Sequence, residues 1–365
     1  MDDEASCGAS RLYLRPLGLT APEQALPGAR RLAGGWLRFD RCEAVLRTET
    51  GVERRILPLA ELEAWLGRLP APVRHSGRDR LARLTAARPP VLGLSLDRPR
   101  LMGIVNVTPD SFSDGGLYLD VDRAVAHGMQ LAADGADIVD VGAESTRPGA
   151  AAVPAEEQIA RVVPVIARLA ERGLVVSVDT RSAAVMVAAL AAGARLVNDV
   201  SGLGHDPRAL AVVADAMALN PGVAVVVMHM RGVPATMNQA PAYADPVLDV
   251  FDELAARLRD CEAAGLDRAR ILVDPGIGFA KRMEHGAAVT RALSLLHGLG
   301  CGVLAGFSRK GLVRRWADAA EPRDRLPGSL AAALAAFEQG VQILRVHDVR
   351  DTAQARDVWE TLRVR

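Results

Sequence analysis

Lysine is scarce in this sequence. Of its 44 basic residues, Lys281 and Lys310 are lysines and the other 42 are arginines. Asparagine is also rare, occurring at Asn106, Asn198, Asn220 and Asn238. A genomic bias towards arginine and alanine codons is the simplest explanation of this scarcity. A lysine or asparagine that persists in such a composition points to a position where arginine, alanine or aspartate would not serve.

The sequence has no excess of either charge, with 44 basic and 44 acidic residues and a pI near 7.1. Proteins that bind nucleic acid through its phosphates generally need a basic excess, so this class is disfavoured. No apolar run reaches the length of about eighteen residues that a membrane span needs. The acidic start MDDEASCGAS lacks the apolar region of a signal peptide. We therefore expect a cytoplasmic protein with neither a nucleic-acid nor a membrane partner.

Paired cysteines are absent as well. The four cysteines are far apart and form no CxxC motif, so a disulfide framework or a zinc site is not expected. The seven histidines show no HExxH spacing, and no GxxxxGK[ST] motif indicates a P-loop ATPase. The length of 365 residues suits a large α/β barrel with an appended segment.

The first 98 residues differ from the rest in composition and in hydrophobic pattern. They are rich in arginine and proline, and residues 36–48 and 52–59 predict a β-hairpin around the turn at 49–51. Residues 59–69 and 78–87 predict short helices. We expect a small α+β extension of unknown role that packs on the remainder of the chain.

Residues 99–365 show a regular alternation of strands and helices. Short apolar runs typical of buried parallel strands alternate with segments of helical spacing. Eight such units match the (β/α)8 TIM barrel, whereas the glycine-rich fingerprint of a doubly wound sheet is absent after the first strand. The runs are 101–107, 138–142, 174–179, 196–200, 223–229, 270–274, 302–307 and 341–346.

A polar residue stands at the end of every predicted strand. One such residue is commonly a helix cap, but in a barrel the carboxyl ends of all eight strands converge on one mouth, where active sites lie. The polar ends therefore predict a binding site for a small molecule. They include Asn106, Asp140, Asp179, Asn198, His229, Asp274, Lys310 and Arg345.

The chemistry of these ends indicates two kinds of ligand group. The carboxylates of Asp179 and Asp274, with Asn198 and Lys310, suit a flat heterocycle that alternates donors and acceptors. A second set suits a phosphate or pyrophosphate, together with the helix N-termini after strands seven and eight. That set is Asn106, Arg345 and His347. The neutral oxygen of Asn106 also suits Mg2+ that keeps water and phosphate ligands.

Two loops, 108–116 and 144–150, follow the first and second strands. Both combine proline, glycine, serine and acidic residues, a composition that suits a lid closing over a substrate. The side chains that favour this interpretation over plain surface loops are Phe112, Asp114, Arg147 and Pro148.

Long motifs in fixed order resemble the dihydropteroate synthase family over residues 99–360. They are MGIVNVTPDSFSDGG, ADIVDVGAESTRPGA, SVDTRSAAV, LVNDVSG, DPGIGFAK, GFSRKG, LPGSLA and RVHDV. The resemblance implies a (β/α)8 barrel that joins 6-hydroxymethyl-7,8-dihydropterin pyrophosphate to p-aminobenzoate and releases pyrophosphate. It further implies a step of folate biosynthesis, Mg2+ dependence, a homodimer and a target for sulfonamides.

The resemblance also implies a role for particular residues. The pterin ring would contact Asp179, Asn198, Met228, Asp274, Phe279 and Lys310. The p-aminobenzoate pocket would include Phe112, Pro148 and Gly311. Pyrophosphate would contact Thr146, Arg147, Arg345 and His347, with Mg2+ on Asn106. The residues implied in catalysis are Asp114, Arg147, Lys310, Arg345 and His347.

Some positions depart from the family pattern, and some alternatives stay open. Residues that differ from the common ones are Ala143, Ala280, Arg282 and Gly311. We interpret His229 as a satisfied core histidine, and we rank Lys281, as a surface lysine at a helix start, below Lys310. The rival functions are a pterin-binding methyltransferase barrel and a non-catalytic paralogue. The two lid-like loops favour the synthase over both.

Overall fold

The computed structural model describes residues 10–107, 117–144, 153–233, 236–237, 241–318 and 321–363. The sequence-predicted residues Phe112, Asp114, Thr146, Arg147 and Pro148 lie outside the described residues. None of the described helices is long and apolar enough to cross a bilayer.

The extension has an antiparallel sheet with two helices. The sheet has the order β1-β4-β5, with β1 at Arg11–Leu17, β4 at Arg41–Thr48 and β5 at Gly51–Pro58. A second pair is β2 at Arg30–Arg31 with β3 at Arg38–Phe39, and the helices are α1 at Leu59–Leu66 and α2 at Ala71–Thr85.

The predicted hairpin is confirmed as β4 and β5, which pair from Arg41 with Pro58 to Thr48 with Gly51. Two expectations for the extension were incomplete. Strand β1 was not predicted, and α2 begins seven residues before the predicted position 78. Pro72 lies in the first turn of α2, where the missing N–H of proline costs no hydrogen bond.

Eight parallel strands close into a barrel, as the alternation of runs predicts. The barrel closes where β13 pairs with β6 and where β9 pairs with β10. The strands are β6 (Arg100–Asn106), β7 (Ile138–Gly142), β8 (Val176–Asp179), β9 (Leu196–Asp199), β10 (Ala224–Met228), β11 (Ile271–Asp274), β12 (Gly302–Ala305) and β13 (Ile343–Val346).

Helices alternate with these strands around the outside. The predicted cap at Asp245 is confirmed, because its Oδ1 accepts from the N–H groups of Val247 and Leu248 at 3.0 and 3.2 Å. The helices are α3 (Leu117–Ala133), α4 (Ala155–Ala170), α5 (Ala183–Ala191), α6 (Ala209–Leu219), α7 (Pro246–Ala263), α8 (Met283–Thr290), α9 (Gly311–Trp316), α10 (Leu326–Phe337) and α11 (Val349–Arg363).

The inside of the barrel changes from apolar to polar along the strands. At the amino end, one buried cluster contains Met102, Ile138, Leu196, Val226, Leu272, Leu304 and Ile343 with Val91, Leu92 and Leu96 of the preceding segment. Side chains two residues apart share a face of a strand. The next inward residues towards the carboxyl ends therefore include Asp140, Asn198 and Arg345. The apolar cluster closes the amino end and leaves the polar residues at the carboxyl mouth.

The extension packs on one flank of the barrel. Trp36 donates its indole N–H to the carbonyl of Phe337 at 3.1 Å and contacts Trp359 edge to face. Tyr13 donates to Asp252 of α7 at 2.7 Å. Arg88 donates to the carbonyl of His297, next to β12, at 2.8 Å. The extension thus covers outer surface of α7, α10 and α11.

Replacing Trp36 with alanine is expected to destabilise the chain. Trp36 is 4% exposed, and removing a buried aromatic side chain costs about 3–5 kcal/mol through lost burial and the cavity left behind. The measurement is urea unfolding followed by circular dichroism. Leu26→Ala is the control, because Leu26 is 58% exposed and its loss should change the free energy of unfolding by less than about 0.5 kcal/mol. Equal stability of the two variants would contradict the anchoring role of Trp36.

Candidate active site

One buried ion network joins four strands at the barrel mouth. Arg345 of β13 donates through Nε to Asp140 Oδ2 at 2.6 Å and through Nη2 to Asp179 Oδ2 at 2.7 Å. Asn198 of β9 donates its amide to the same Asp140 oxygen at 3.0 Å. Asp140 is fully buried, and its Oδ1 has no hydrogen-bond partner among the described residues. That oxygen is thus a buried acceptor that the network leaves unpaired.

Burial is the largest single effect on the pKa of both Asp179 and Arg345, but it decides the net direction only for Asp179. It raises the pKa of Asp179 to about 7, a rise that Arg345 opposes and the carboxylate of Asp140 reinforces. Burial acts to lower the pKa of Arg345, but Asp140 and Asp179 together outweigh it, and the net pKa is raised. Arg345 therefore stays charged, while Asp179 exchanges a proton near neutral pH.

Asp274 lies across the mouth from this network, at the end of β11. Its Oδ1 accepts the backbone N–H of Gly276 at 2.7 Å, which fixes the orientation of the carboxyl group. Burial raises the pKa of Asp274, and the charge of Lys310 opposes the rise. Met228 is its neighbour on β10 in the strand register and is buried. On this side of the mouth Asp274 thus provides a polar surface and Met228 an apolar one.

Lys310 immediately precedes α9 and reaches the loop that follows β11. Its Nζ donates to the carbonyl of Ile277 at 2.6 Å and lies 4.9 Å from the ring centre of Phe279. Burial lowers the pKa of Lys310 to about 8, and Asp274 opposes the fall. The next residue, Gly311, is exposed at the first position of α9.

The rim of the mouth carries His347 and Asn106. The Nδ1 of His347 is 3.0 Å from Ser308 Oγ, and the backbone N–H of His347 donates to the same oxygen at 3.1 Å. Asn106 is exposed at the end of β6 and pairs in register with Gly142, the neighbour of Asp179.

The barrel places most of the predicted site residues at one mouth, because they lie at or just after the carboxyl ends of its strands. Those residues are Asn106, Asp179, Asn198, Met228, Asp274, Phe279, Lys310, Gly311, Arg345 and His347. The sequence pattern places Asp140 at a strand end but assigns it no ligand. A carboxylate in the middle of the apolar run 138–142 was the signal that should have given it one.

The interpretation of Lys281 as a surface lysine is wrong. Lys281 is 5% exposed, and its Nζ lies 2.9 Å from Nδ1 of His229. His229 is itself buried and also contacts Glu253 at 3.0 Å, which agrees with a satisfied core histidine. The rarity of lysine in this composition was the correct signal for both Lys281 and Lys310.

An eight-stranded barrel with buried carboxylates, an amide and a lysine at its carboxyl mouth defines a (β/α)8-barrel enzyme that binds a polar small molecule. Comparison with known proteins makes the class specific. The family model described as pterin binding enzyme matches residues 102–347, more than half of the chain.

Named relatives and solved structures agree with that match. A dihydropteroate synthase of Neisseria meningitidis serogroup B is 44% identical over 274 residues, covering 74% of this chain and 94% of the relative. A dihydropteroate synthase of Xanthomonas albilineans solved with 4-aminobenzoic acid is 50% identical, with a TM-score of 0.68, and covers 74% of this chain and 94% of that chain. The same enzyme in complex with 7,8-dihydropteroate is 47% identical, with a TM-score of 0.66 and coverages of 74% and 95%. The chain belongs to the pterin-binding enzyme family, in its dihydropteroate synthase branch.

The raised pKa of Asp179 predicts a pH-dependent stability. Between about pH 4, where an unfolded aspartate titrates, and about pH 7, the folded chain holds a proton on Asp179 that the unfolded chain has released. The free energy of unfolding therefore falls as pH rises through this range, by at most about 1.4 kcal/mol per pH unit from this group. Asp179→Asn should reduce that fall, as measured by urea unfolding at several pH values.

The exposed Asp215→Asn is the control for this titration and should keep the pH slope of the wild type. An Asp179→Asn variant with the wild-type slope would show that Asp179 is ionised throughout the range.

Proposed function

We propose that the chain joins 6-hydroxymethyl-7,8-dihydropterin pyrophosphate to p-aminobenzoate and releases 7,8-dihydropteroate and pyrophosphate. The observation that carries the proposal is the polar set at the mouth, in which Asp179, Asn198 and Asp274 are buried and Lys310 is partly buried. An amino-pyrimidinone ring presents donors and acceptors along one edge, and carboxylates, an amide and an ammonium match them. The names of the relatives and the dihydropteroate complex of a similar structure support the same reaction.

The pterin ring would lie between the two carboxylate walls. Asp274 would accept N–H groups of the ring through the oxygen that Gly276 does not occupy, and Asn198 would meet the ring from the opposite side. Lys310 would donate to a ring acceptor, while Met228 and Phe279 supply apolar contact.

Arg345 and His347 would hold the pyrophosphate, with Thr146 and Arg147 from the loop outside the described residues. Arg345 is charged and fixed by two carboxylates, and a preorganised cation stabilises the negative charge that develops on a leaving group. His347 is oriented by Ser308 at the same rim.

Mg2+ fits the donors at this rim when it is held mainly by substrate and water. The described residues contain no group of three acidic, histidine or cysteine side chains that could cage a metal. Asn106 offers one exposed neutral oxygen, which suits an ion that retains water and phosphate ligands. We therefore propose Asn106 as its protein ligand; when bound, the ion would neutralise charge on the departing pyrophosphate.

The reaction would be dissociative, with departure of pyrophosphate before attack by the aniline nitrogen. The arylamine is already neutral at pH 7, so no strong general base has to act before attack. The protein's task is therefore positioning and charge stabilisation. Asp114 would stabilise the pterin methylene cation, and p-aminobenzoate would contact Phe112, Pro148 and the start of α9 at Gly311.

We also propose that the chain divides into an extension at 1–98 and a barrel at 99–365, that it is cytoplasmic, and that it forms a homodimer. The extension covers part of the flank of α7, α10 and α11, so a second copy would not pack directly on that part of the barrel. The rival methyltransferase and non-catalytic readings receive no support from the named relatives.

The function is tested by incubating the purified chain with both substrates and Mg2+, with dihydropteroate and pyrophosphate both quantified. With both substrates present we expect dihydropteroate and pyrophosphate in equal amounts, and without p-aminobenzoate we expect no dihydropteroate. Asp274→Asn keeps the acceptor for Gly276 but replaces the other oxygen with a donor, so pterin affinity should fall about 10- to 100-fold in calorimetry. Asp215→Asn is the matched control. Folded wild-type protein that forms no dihydropteroate would refute the proposal.

Lys310→Arg is expected to lower turnover about tenfold or more, although arginine is common elsewhere in the chain. A forked guanidinium is larger than the ammonium that fits between the Ile277 carbonyl and the Phe279 ring. Steady-state kinetics measures the effect. Arg363→Lys, at the distant end of α11, is the reverse exchange and should leave turnover unchanged. Normal turnover of Lys310→Arg would contradict a specific requirement for lysine at this position.

A further inference from the structure

Both lysines of the chain bind the same loop, residues 275–280 between β11 and α8. Lys310 donates to the carbonyl of Ile277 at 2.6 Å. Lys281 donates to the carbonyls of Gly276 and Phe279, each at 3.1 Å. The two ammonium groups thus hold three carbonyls of one short segment, those of Gly276, Ile277 and Phe279. Residues of this loop form one wall of the proposed pterin pocket.

Lys281 uses all three of its donors inside the protein. An ammonium group has three N–H bonds and no acceptor. The three shortest contacts of its Nζ are Nδ1 of His229 at 2.9 Å and the two loop carbonyls. While Lys281 carries its charge it can only donate, so His229 then accepts at Nδ1 and carries its proton on Nε2, which faces Glu253 at 3.0 Å. The contacts therefore fix both the lysine and the histidine.

The backbone of this loop contains three residues in the left-handed conformation. Gly276, Gly278 and Ala280 all have left-handed φ angles, of 64°, 86° and 48°. A Cβ at Gly276 would lie 2.0 Å from the carbonyl oxygen of His229, so the loop lies directly against the end of β10. Ala280 is costlier than glycine in this conformation. Its carbonyl accepts from Tyr243 at 2.9 Å, which adds a side-chain restraint on the outer side.

The charges around Lys281 come from several elements. Burial lowers the pKa of Lys281 to about 7, Asp274 of β11 and Glu253 of α7 oppose the fall, and Lys310 and Arg231 reinforce it. The cation is thus close to losing its proton at neutral pH. An apolar side chain of similar length would fill the space around Lys281 without the cost of burying a charge. The buried ammonium is therefore better explained by the hydrogen bonds that it donates.

We propose that Lys281 is a positioning residue that holds the 275–280 loop in the conformation that places Phe279 and the Ile277 carbonyl against Lys310. Lys281 itself lies behind the loop, bonded to His229 and to loop carbonyls, and it does not need to touch substrate. The inference rests on the proposed function, since the loop is taken to form a wall of the pterin pocket. It gives Lys281 a task distinct from the substrate contact assigned to Lys310.

The test uses Lys281→Met, which keeps the length of the side chain and removes its donors. Arg88→Met is the matched control, because Arg88 also donates to carbonyls, those of Cys301 and His297, but on the flank under the extension. Each full-length variant is titrated with 6-hydroxymethylpterin by calorimetry. Each is also prepared with lysine labelled with carbon-13 at Cε, for which the wild type has only two signals and Lys281→Met has one.

We expect Lys281→Met to raise the dissociation constant of 6-hydroxymethylpterin about tenfold or more and to shift the Lys310 signal in the ligand-free protein. Arg88→Met should lower the unfolding midpoint yet keep the dissociation constant within about twofold and the Lys310 signal unmoved. Should Lys281→Met fail to fold, Lys281→Gln, which keeps two N–H donors, is tested by the same two measurements.

A folded Lys281 variant with the wild-type dissociation constant and an unmoved Lys310 signal would overturn the proposal. The spectrum needs no ligand, so it separates this inference from the proposed function. If the wild type bound no pterin while the Lys310 signal still shifted, the proposed function would fail and the coupling of the two lysines would stand.

Discussion

The guanidinium of Arg345, held between Asp140 and Asp179 inside the barrel, is the constraint on which the site depends. These contacts link β13 to β7 and β8, and Asn198 adds β9 through the same Asp140 oxygen. Replacing such a buried ion network with packed apolar side chains is often neutral or stabilising by about 1–4 kcal/mol. A barrel needs no such layer to fold, because its amino end is closed by an apolar cluster. The network is better explained by what it binds.

A second constraint is the set of lysine hydrogen bonds that holds the loop after β11. In a chain with 42 arginines, both lysines donate to carbonyls of this loop. An ammonium is a compact charge whose three donors can point to separate acceptors, whereas a planar guanidinium suits paired acceptors in its own plane. Lys281 meets three acceptors in different directions, and Lys310 fits between a carbonyl and a ring. The choice of lysine at both positions therefore has a geometrical reason in a composition that otherwise favours arginine.

The barrel and most of its mouth follow from local pattern, but the contacts that organise them do not. Apolar runs and their polar ends predicted the strands, and the convergence of parallel strand ends predicted that Asp179, Asn198 and Asp274 meet. Strand β1 escaped prediction because arginines and a proline interrupt its alternation. The burial of Lys281 depends on His229, 52 residues away in sequence, and on a loop with three left-handed residues. Such a contact exists only after the barrel has closed.

We propose that a pterin lies within the polar mouth, between the Arg345 network and Asp274. A crystal structure of the full chain with 7,8-dihydropteroate tests this placement most directly. We expect the pterin ring to be hydrogen-bonded to Asp274 and Asn198, with Lys310 at the ring and the aminobenzoate group directed towards Gly311. A ring bound outside the barrel, or within it but without contact to Asp274, would contradict this placement.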